Sequence, residues 1–281
     1  MRDQDAPFVS VIIPAYGRPA FLGDALRSVL RQGYQALEVV VVDDASPEPV
    51  EIVDDERIRV VRAAENGGPA AARNLGVEHA RGQLLLFLDD DDTWTPERLA
   101  LALEGLQRAP IAICWQDATQ GRELEGAVHD RILDAMTPPL GATAVWRDAW
   151  QPMDASYRAC EDLEWWLRIT ATHEVATVAR QGLVVRQHTG ERVGYGTRVR
   201  IDHSRRLLND HASYFRRHPR AAAFRWKRIG LMHMALGEGS AARGALLRSI
   251  ARRPQLASFW HLARTLRLRD QAAKRRESRI V

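Results

Sequence analysis

The sequence predicts an α/β protein with a mostly parallel sheet flanked by helices and a helical C-terminal extension. Short aliphatic runs alternate with segments whose apolar residues recur at helical spacing, which is typical of parallel strands joined by crossover helices. The run at residues 84–88 is apolar throughout, as expected for a strand buried on both faces. From residue 201 onward the pattern is helical.

The first half of the chain is predicted to consist of strand–helix–strand units. Strands are expected at residues 9–13, 38–42, 58–61 and 84–88, and helices at residues 19–30, 70–80 and 96–107. Right-handed crossovers would bring the carboxyl ends of these strands to one edge of the sheet.

The pattern weakens after a further strand at residues 111–115. Residues 117–140 are polar with Gly and Pro, and they predict a long irregular segment. A helix rich in Trp and acidic residues is expected at roughly 160–170, and residues 175–178 and 183–185 are expected to pair as closing strands. We therefore divide the chain into residues 1–110, 111–200 and 201–281.

Composition excludes several classes of protein. No apolar run approaches the roughly 20 residues that a membrane-spanning helix needs. Cys114 and Cys160 are too few for a disulfide framework and too far apart for a zinc knuckle. The polar start of the chain lacks the apolar segment of a signal peptide. We therefore expect a reduced, cytoplasmic protein.

Charge is distributed unevenly along the chain. Residues 201–281 hold 19 Lys and Arg against 5 Asp and Glu, a balance of +14, whereas residues 1–200 hold 21 against 31, a balance of −10. We interpret the basic extension as a helical cap whose outer face is available for docking to an anionic membrane or an acidic protein. The protein would then be peripheral at the membrane. One expected amphipathic helix has an apolar face made of Leu256, Phe259, Trp260, Ala263 and Leu266.

Polar residues follow three of the predicted strands, at positions 14–16, 43–44 and 89–92. Ligands bind at this edge of an open α/β sheet. The four consecutive carboxylates Asp89, Asp90, Asp91 and Asp92 repel one another unless a cation compensates them. A hard divalent ion such as Mg²⁺ or Mn²⁺ prefers such oxygen ligands. The alternative is a solvated acidic turn that caps the next helix, because residues 95–97 (TPE) are a good helix start.

Five motifs follow one another along the chain: residues 10–16 (SVIIPAY), 38–46 (EVVVVDDAS), 66–74 (NGGPAAARN), 87–92 (FLDDDD) and 161–168 (EDLEWWLR). In sequence and order they resemble the motifs of the family 2 glycosyltransferases, which have the GT-A fold and invert the anomeric centre. The resemblance covers roughly residues 8–170. It implies that residues 1–110 form the nucleotide-sugar-binding half of the domain and that residues 111–200 form the acceptor-binding half.

The resemblance also implies roles for individual residues. One of Asp43 and Asp44 would accept a hydrogen bond from a uracil N–H. Asp89 and Asp91 would be the D-x-D carboxylates, with Asp91 the first choice as ligand of Mn²⁺ or Mg²⁺. Asp92 would support Asp91, and His188 is a further candidate for a metal or diphosphate contact or else a solvated residue. The expected substrate-binding residues are Pro14, Ala15, Tyr16, Asp43, Asp44, Gly68, Arg73, Asp89, Asp90 and Trp166.

An inverting single displacement needs one base on the acceptor side. The resemblance implies Asp162 as that base, with Glu161 as second choice. Asp162 and Trp166 are four residues apart and share a helix face, so the indole could form a platform beside the sugar. The alternatives are core packing for Trp166 and an N-terminal helix charge for Asp162.

The expected activity is transfer of a hexose or N-acetylhexosamine from a UDP-sugar. The acceptor would be a glycan, a lipid-linked sugar or a carrier-bound small molecule, and nucleic acid is not an expected partner. Two alternatives remain. Asp89 and Asp91 also fit the nucleophile and the acid/base of a haloacid-dehalogenase-type phosphatase, and a non-catalytic protein could bind the sugar nucleotide alone.

Overall fold

The structure is a computed structural model that describes residues 6–114, 124–186 and 196–265. It divides into two compact units, Met1–Ile132 with Thr137–Val193 and Leu133–Met136 with Gly194–Val281. The division of the chain at residues 110 and 200 by function stays a prediction. Among the described residues, no helix is long and apolar enough to cross a membrane.

The first unit is built on a seven-stranded, mostly parallel sheet. Its elements in chain order are β1 Val9–Ala15, α1 Pro19–Leu30, β2 Leu37–Asp43, β3 Ile58–Arg62, α2 Gly68–His79, β4 Leu84–Phe87, β5 Thr93–Trp94, α3 Arg98–Leu106, β6 Ile111–Cys114, β7 Thr143–Trp146, α4 Glu161–Ile169, β8 Val175–Val178 and β9 Leu183–Val184. The strand order is β3-β2-β1-β4-β7-β6-β8. The predicted α/β class is confirmed.

The sheet contains one strand that the sequence does not reveal. β7 lies between β4 and β6 and is antiparallel to both, whereas the pairs β1–β2, β1–β4, β2–β3 and β6–β8 are parallel. Its four residues follow a segment expected to be irregular and carry no strong strand pattern. Part of that segment is anchored, because Gly126 forms an antiparallel bridge with Val175.

The expected closing strand pair is wrong. β8 is fully buried and pairs with the equally buried β6. β9, in which Val184 is 43% exposed, pairs instead with β5 in a separate two-stranded sheet. Since β5 directly follows the acidic residues 89–92, this pairing brings the end of β9 to the acidic turn.

Close packing of α2 on the sheet depends on a glycine. A Cβ at Gly76 would lie 2.4 Å from Cγ2 of Ile12 on β1 and 3.1 Å from Cγ2 of Val42 on β2. Both of those side chains are fully buried. Gly76 therefore sets the distance between the sheet and the helix that carries Arg73.

Residues 197–265 of the second unit form a series of helices, as the sequence predicts. It contains α5 Thr197–Asp210, α6 Ala212–Arg217, α7 Pro219–Ala235, α8 Gly239–Arg252 and α9 Leu256–Thr265. Its buried residues include Ile201, Leu207, Ala222, Ile229 and Leu246. Leu266, expected on the apolar face of the last helix, lies outside the described residues.

Candidate active site

The carboxyl ends of β1, β2 and β4 meet at one edge of the sheet. The N–H of Tyr16, just past β1, donates to Oδ2 of Asp90 at 3.4 Å. The N–H of Gly17 donates to Oγ of Ser46 at 3.1 Å. Gly17 has a φ of +66°, in the left-handed region that favours glycine. The chain can therefore turn between the ends of the two neighbouring strands.

β2 ends at Asp43, whose carboxylate is bound by backbone N–H groups and by an arginine side chain of the protein. Asp43 is 1% exposed and lies beside Ala15 in the sheet register. Its carboxylate accepts the N–H groups of Ser46 at 2.8 Å and Val50 at 3.3 Å, and it pairs with Arg62. Burial alone would raise its pKa, but the hydrogen bonds from Ser46, Val50 and Arg62 hold the pKa below its usual range.

Asp44 joins β2 to the start of α2. Its two carboxylate oxygens accept the N–H groups of Gly67 and Gly68, each at 2.8 Å. Burial raises the pKa of Asp44 although these hydrogen bonds oppose the shift. In this structure both carboxylates accept hydrogen bonds from backbone N–H groups of the protein. Recognition of a uracil by Asp43 or Asp44 therefore stays a prediction.

Asp89 to Asp92 form a tight turn, closed by a hydrogen bond from the N–H of Asp92 to the carbonyl of Asp89 at 3.1 Å. The two D-x-D carboxylates each face a guanidinium. Arg73 Nη2 donates to Asp89 Oδ1 at 2.7 Å, and Arg18 pairs with Asp91. The alternative of a helix cap is not supported, because α3 begins without a side-chain cap.

The other two carboxylates of the turn are more deeply buried. Burial raises the pKa of Asp90 to about 7, against the opposing charge of Arg18, whose Nη1 lies 3.6 Å from Asp90 Oδ1. Asp92 is 6% exposed, and its Oδ1 accepts the N–H of Arg186 at 3.1 Å. Asp92 thus ties the chain after β9 to the acidic turn.

Arg73 links the acidic turn to the later acidic motif. Its Nη2 donates to Asp89 and its Nη1 donates to Glu161 Oε1 at 3.2 Å, across 88 residues of sequence. The guanidinium is almost fully buried, and its Nε is a buried donor without a partner among the described residues. A buried guanidinium between two carboxylates holds the end of β4 and the start of α4 together.

α4 begins at a strained residue. Cys160 precedes the helix with a φ of +64°, which is uncommon for a residue with a side chain. Glu161 and Asp162 follow in the first turn, and Asp162 Oδ1 accepts the N–H of Leu163 at 2.8 Å. Burial and the neighbouring Asp162 raise the pKa of Glu161, which Arg73 opposes. The two candidate bases are therefore adjacent and close to the D-x-D turn.

Trp166 does not form the expected sugar platform. It is fully buried, and its indole N–H donates to the carbonyl of Pro138 at 3.0 Å. Its ring meets that of Trp165 edge-on, with the ring centroids 5.1 Å apart. Helix periodicity placed Trp166 on the face of Asp162, but packing makes that part of the helix interior. The alternative of core packing is correct.

The remaining predicted residues have mixed outcomes. Pro14 lies opposite Val42 in the sheet, at the edge where the site lies. His188 lies outside the described residues. Sequence reasoning missed Arg18, which follows β1 closely. Arg18 could have been predicted from the sequence. Four adjacent carboxylates require a compensating cation nearby, and Arg18 lies in the loop that follows β1 at the same edge of the sheet.

The carboxylates at this edge fit a divalent cation that is shared with a ligand. Among the described residues, no three His, Cys, Asp or Glu side chains are grouped so that they could hold a metal ion by themselves. Mg²⁺ is commonly bound by one or two carboxylates together with substrate phosphates. Asp91 already accepts a cationic group, the guanidinium of Arg18, and Asp89 is 40% exposed. Asp89 and Asp91 would be the protein ligands.

The protein resembles solved glycosyltransferase structures over most of its length. The crystal structure of S. aureus TarS 1-349 in complex with UDP-GlcNAc has a TM-score of 0.61 at 18% identity, covering 88% of this chain and 81% of that one. The mannosyltransferase PcManGT from Pyrobaculum calidifontis in complex with GDP-Man and Mn²⁺ has a TM-score of 0.59 at 20% identity, covering 93% and 80%. These likenesses confirm the predicted GT-A fold.

Curated relatives match the first part of the chain. TuaG of Bacillus subtilis (strain 168), named for teichuronic acid biosynthesis, is 35% identical over 133 residues, which are 44% of this chain and 53% of TuaG. The succinoglycan biosynthesis protein ExoW of Rhizobium meliloti (strain 1021) is 38% identical over 123 residues, 40% of this chain and 38% of ExoW. The matched segments thus span about half or less of these relatives.

The sequence model of Glycosyl transferase family 2 matches residues 10–161, from β1 to the first residue of α4. This match argues against the alternative of a haloacid-dehalogenase-type phosphatase that uses Asp89 and Asp91, because it assigns the same residues to a different family. Because the match covers more than half of the chain and the five motifs meet at one sheet edge, the protein belongs to glycosyl transferase family 2.

Proposed function

We propose that the protein is an inverting glycosyltransferase that moves a hexose or N-acetylhexosamine from a UDP-sugar to an acceptor hydroxyl. The observation that carries this proposal is the Arg73 bridge, which joins Asp89 of the D-x-D turn to Glu161 beside the candidate base. A leaving-group site and a base must lie on opposite sides of one anomeric carbon, and the bridge brings their motifs together. The UDP-GlcNAc complex of the similar TarS structure supports this donor class.

Asp162 is proposed as the base. Its carboxylate takes the proton of the acceptor hydroxyl as the acceptor oxygen bonds to the anomeric carbon. The bond from that carbon to the diphosphate oxygen breaks, and the nucleoside diphosphate leaves with the electron pair. Glu161 is the weaker candidate, because Arg73 already engages its carboxylate. We assign Glu161 the role of holding Arg73 in position.

Asp89 and Asp91 are proposed to hold Mn²⁺ or Mg²⁺ together with the donor diphosphate. Mn²⁺ in the PcManGT complex supports this choice. The cation would supply positive charge against the negative charge that develops on the leaving group. Arg18, which pairs with Asp91 in this structure, must move from that carboxylate for Asp91 to accept the ion.

The acceptor is proposed to be a growing glycan, because the names of TuaG and ExoW place them in polysaccharide synthesis. A lipid-linked sugar or a carrier-bound small molecule has the same reacting hydroxyl. The chain matches these relatives only in part, so acceptor choice requires a direct assay of candidate acceptors.

Isothermal titration calorimetry and a transfer assay test the proposal. The protein should bind UDP more tightly with Mn²⁺ than without it, and more tightly than GDP. Asp162→Asn should retain UDP binding and lose transfer by at least about 100-fold, the lower range for a general base. Asp148→Asn, at an exposed residue, is the matched control and should keep both.

Two results separate the alternatives. If the protein binds UDP-sugars but transfers to no acceptor, and Asp162→Asn binds them as tightly as wild type, the protein is the non-catalytic binding protein. A preference for GDP over UDP would make the donor a GDP-sugar instead of a UDP-sugar. It would not affect the assignment of Asp162 as the catalytic base. Indifference to every nucleotide, with and without Mn²⁺, would refute the proposed function.

A further inference from the structure

The last described helix, α9, presents its apolar side chains outward. Leu256 is 89% exposed, Phe259 48% and Trp260 58%. These residues are spaced i, i+3 and i+4 and so share one face of the helix. The buried positions of α9 are instead the polar residues Ser258 and Thr265. This is the reverse of the usual arrangement, in which the apolar face of a surface helix packs on the core.

The contacts of α9 with its own unit fix this orientation. Ser258 Oγ lies 3.3 Å from Ser249 Oγ of α8, and Ser249 also donates to the carbonyl of Ala223 at 2.8 Å. At the other end of α9, Arg243 of α8 donates to the carbonyl of Thr265 at 3.2 Å. These polar contacts hold the inner face of α9 at both ends of the helix. The apolar face cannot turn inward unless these contacts break.

The sequence around this face carries positive charge only. Residues 239–269 contain seven Arg and no Asp or Glu. Arg248, Arg252, Arg253 and Arg264 are exposed, and Arg264 lies over the ring of Trp260 at 4.7 Å. A helix that combines outward Leu, Phe and Trp with flanking Arg has the composition of helices that lie in the interface of anionic membranes.

We propose that α9 docks on an anionic lipid surface through Leu256, Phe259 and Trp260, with the flanking Arg residues contacting lipid phosphates. A second copy of the chain fits this face poorly, because two such surfaces would bring like charges together. A single outward helix ridge also suits a flat surface better than it suits an extended peptide, which commonly needs a groove or a strand edge. The inference is independent of the nucleotide site.

Vesicle flotation with the full chain tests the proposal. The protein should float with equimolar phosphatidylglycerol and phosphatidylcholine vesicles, and much less with pure phosphatidylcholine. Phe259→Ser/Trp260→Ser should abolish flotation. Arg252→Gln/Arg253→Gln should weaken it by about fivefold per Arg, the equivalent of about 1 kcal/mol per cation near an anionic surface. Val53→Ser, at a similarly exposed apolar residue of the first unit, should float like wild type.

Circular dichroism melting of each variant should match wild type, because all the substituted side chains are exposed. Flotation that survives both double substitutions would overturn the proposal. Light scattering that shows a dimer converted to a monomer by Phe259→Ser/Trp260→Ser would make the face a self-interface instead. Binding to soluble polyglutamate with the same dependence on Phe259 and Trp260, without flotation, would identify an acidic protein as the partner.

Discussion

Replacing Gly76 with alanine tests whether the close approach of α2 to the sheet positions the site. Alanine is the better helix former by about 1 kcal/mol, so an exposed helix position would gain stability. At Gly76, however, the new methyl would lie 2.4 Å from Cγ2 of Ile12 and 3.1 Å from Cγ2 of Val42. Both neighbours are fully buried on central strands, so neither can move away easily.

The expected sign follows from comparing the two effects. Overpacking of a buried site costs about 1–3 kcal/mol and occasionally more, and a 2.4 Å approach to a buried side chain belongs at the upper end of that range. After the gain in helix propensity, Gly76→Ala should lower the free energy of unfolding by about 2 kcal/mol. It should also weaken UDP binding, because Arg73 lies one turn earlier on α2.

Gly23→Ala in α1 is the matched control. Its Cβ would meet only Arg27 Nη1 at 3.5 Å, an ordinary contact, so it should raise stability by about 0.5–1 kcal/mol. Urea unfolding measures the stability of both variants. The same measurement on Ile12→Ala and on Ile12→Ala/Gly76→Ala gives the coupling free energy between positions 12 and 76. The double substitution should be less destabilising than the sum, since Ile12→Ala removes the clashing methyl. A stabilising Gly76→Ala, or strict additivity with Ile12→Ala, would refute this account.

Three further predictions concern charge, packing and the cation site. Glu38→Gln should cost about 2 kcal/mol at neutral pH, because the buried carboxylate accepts hydrogen bonds from Ser10 and Arg81 that lower its pKa against burial. The difference from wild type in urea unfolding should shrink as pH falls below the ordinary value of 4.5, since the wild-type contribution is lost on protonation; a pH-independent difference would contradict this. Trp166→Phe should cost about 1–2 kcal/mol in the same assay through the lost bond to a backbone carbonyl, and the affinity for UDP-GlcNAc relative to UDP should not change; a loss of affinity for UDP-GlcNAc alone would restore its expected role at the sugar. Arg18→Gln should increase Mn²⁺ affinity severalfold in calorimetry without nucleotide, because it removes the cation paired with the D-x-D turn; unchanged affinity would show that Arg18 does not compete.

The sequence predicted the strands and helices of residues 1–110 closely. The expected helix at residues 19–30 and the observed α1 have the same bounds, and the expected strand at 58–61 differs from β3 by one residue. These elements are recognisable because their apolar periodicity is local and turn residues bound them. β7 was missed because a four-residue strand depends on its neighbours β4 and β6, which are distant in sequence.

The sequence predicted candidate site residues, but it could not predict their contacts. Four adjacent carboxylates after a buried strand predict a compensating positive charge nearby, because like charges repel one another. Which cations compensate them depends on the fold: Arg18 and Arg73 reach the acidic turn only because β1, β4 and α2 pack side by side.

Helical periodicity in the sequence assigned Trp166 to the face of Asp162 and gave α9 an apolar face. It could not say which face of either helix meets the core, since that depends on the partner surface. The tertiary structure buried Trp166 completely and turned Leu256, Phe259 and Trp260 outward. Periodicity along a chain is a local property, whereas burial is decided by what packs against each face.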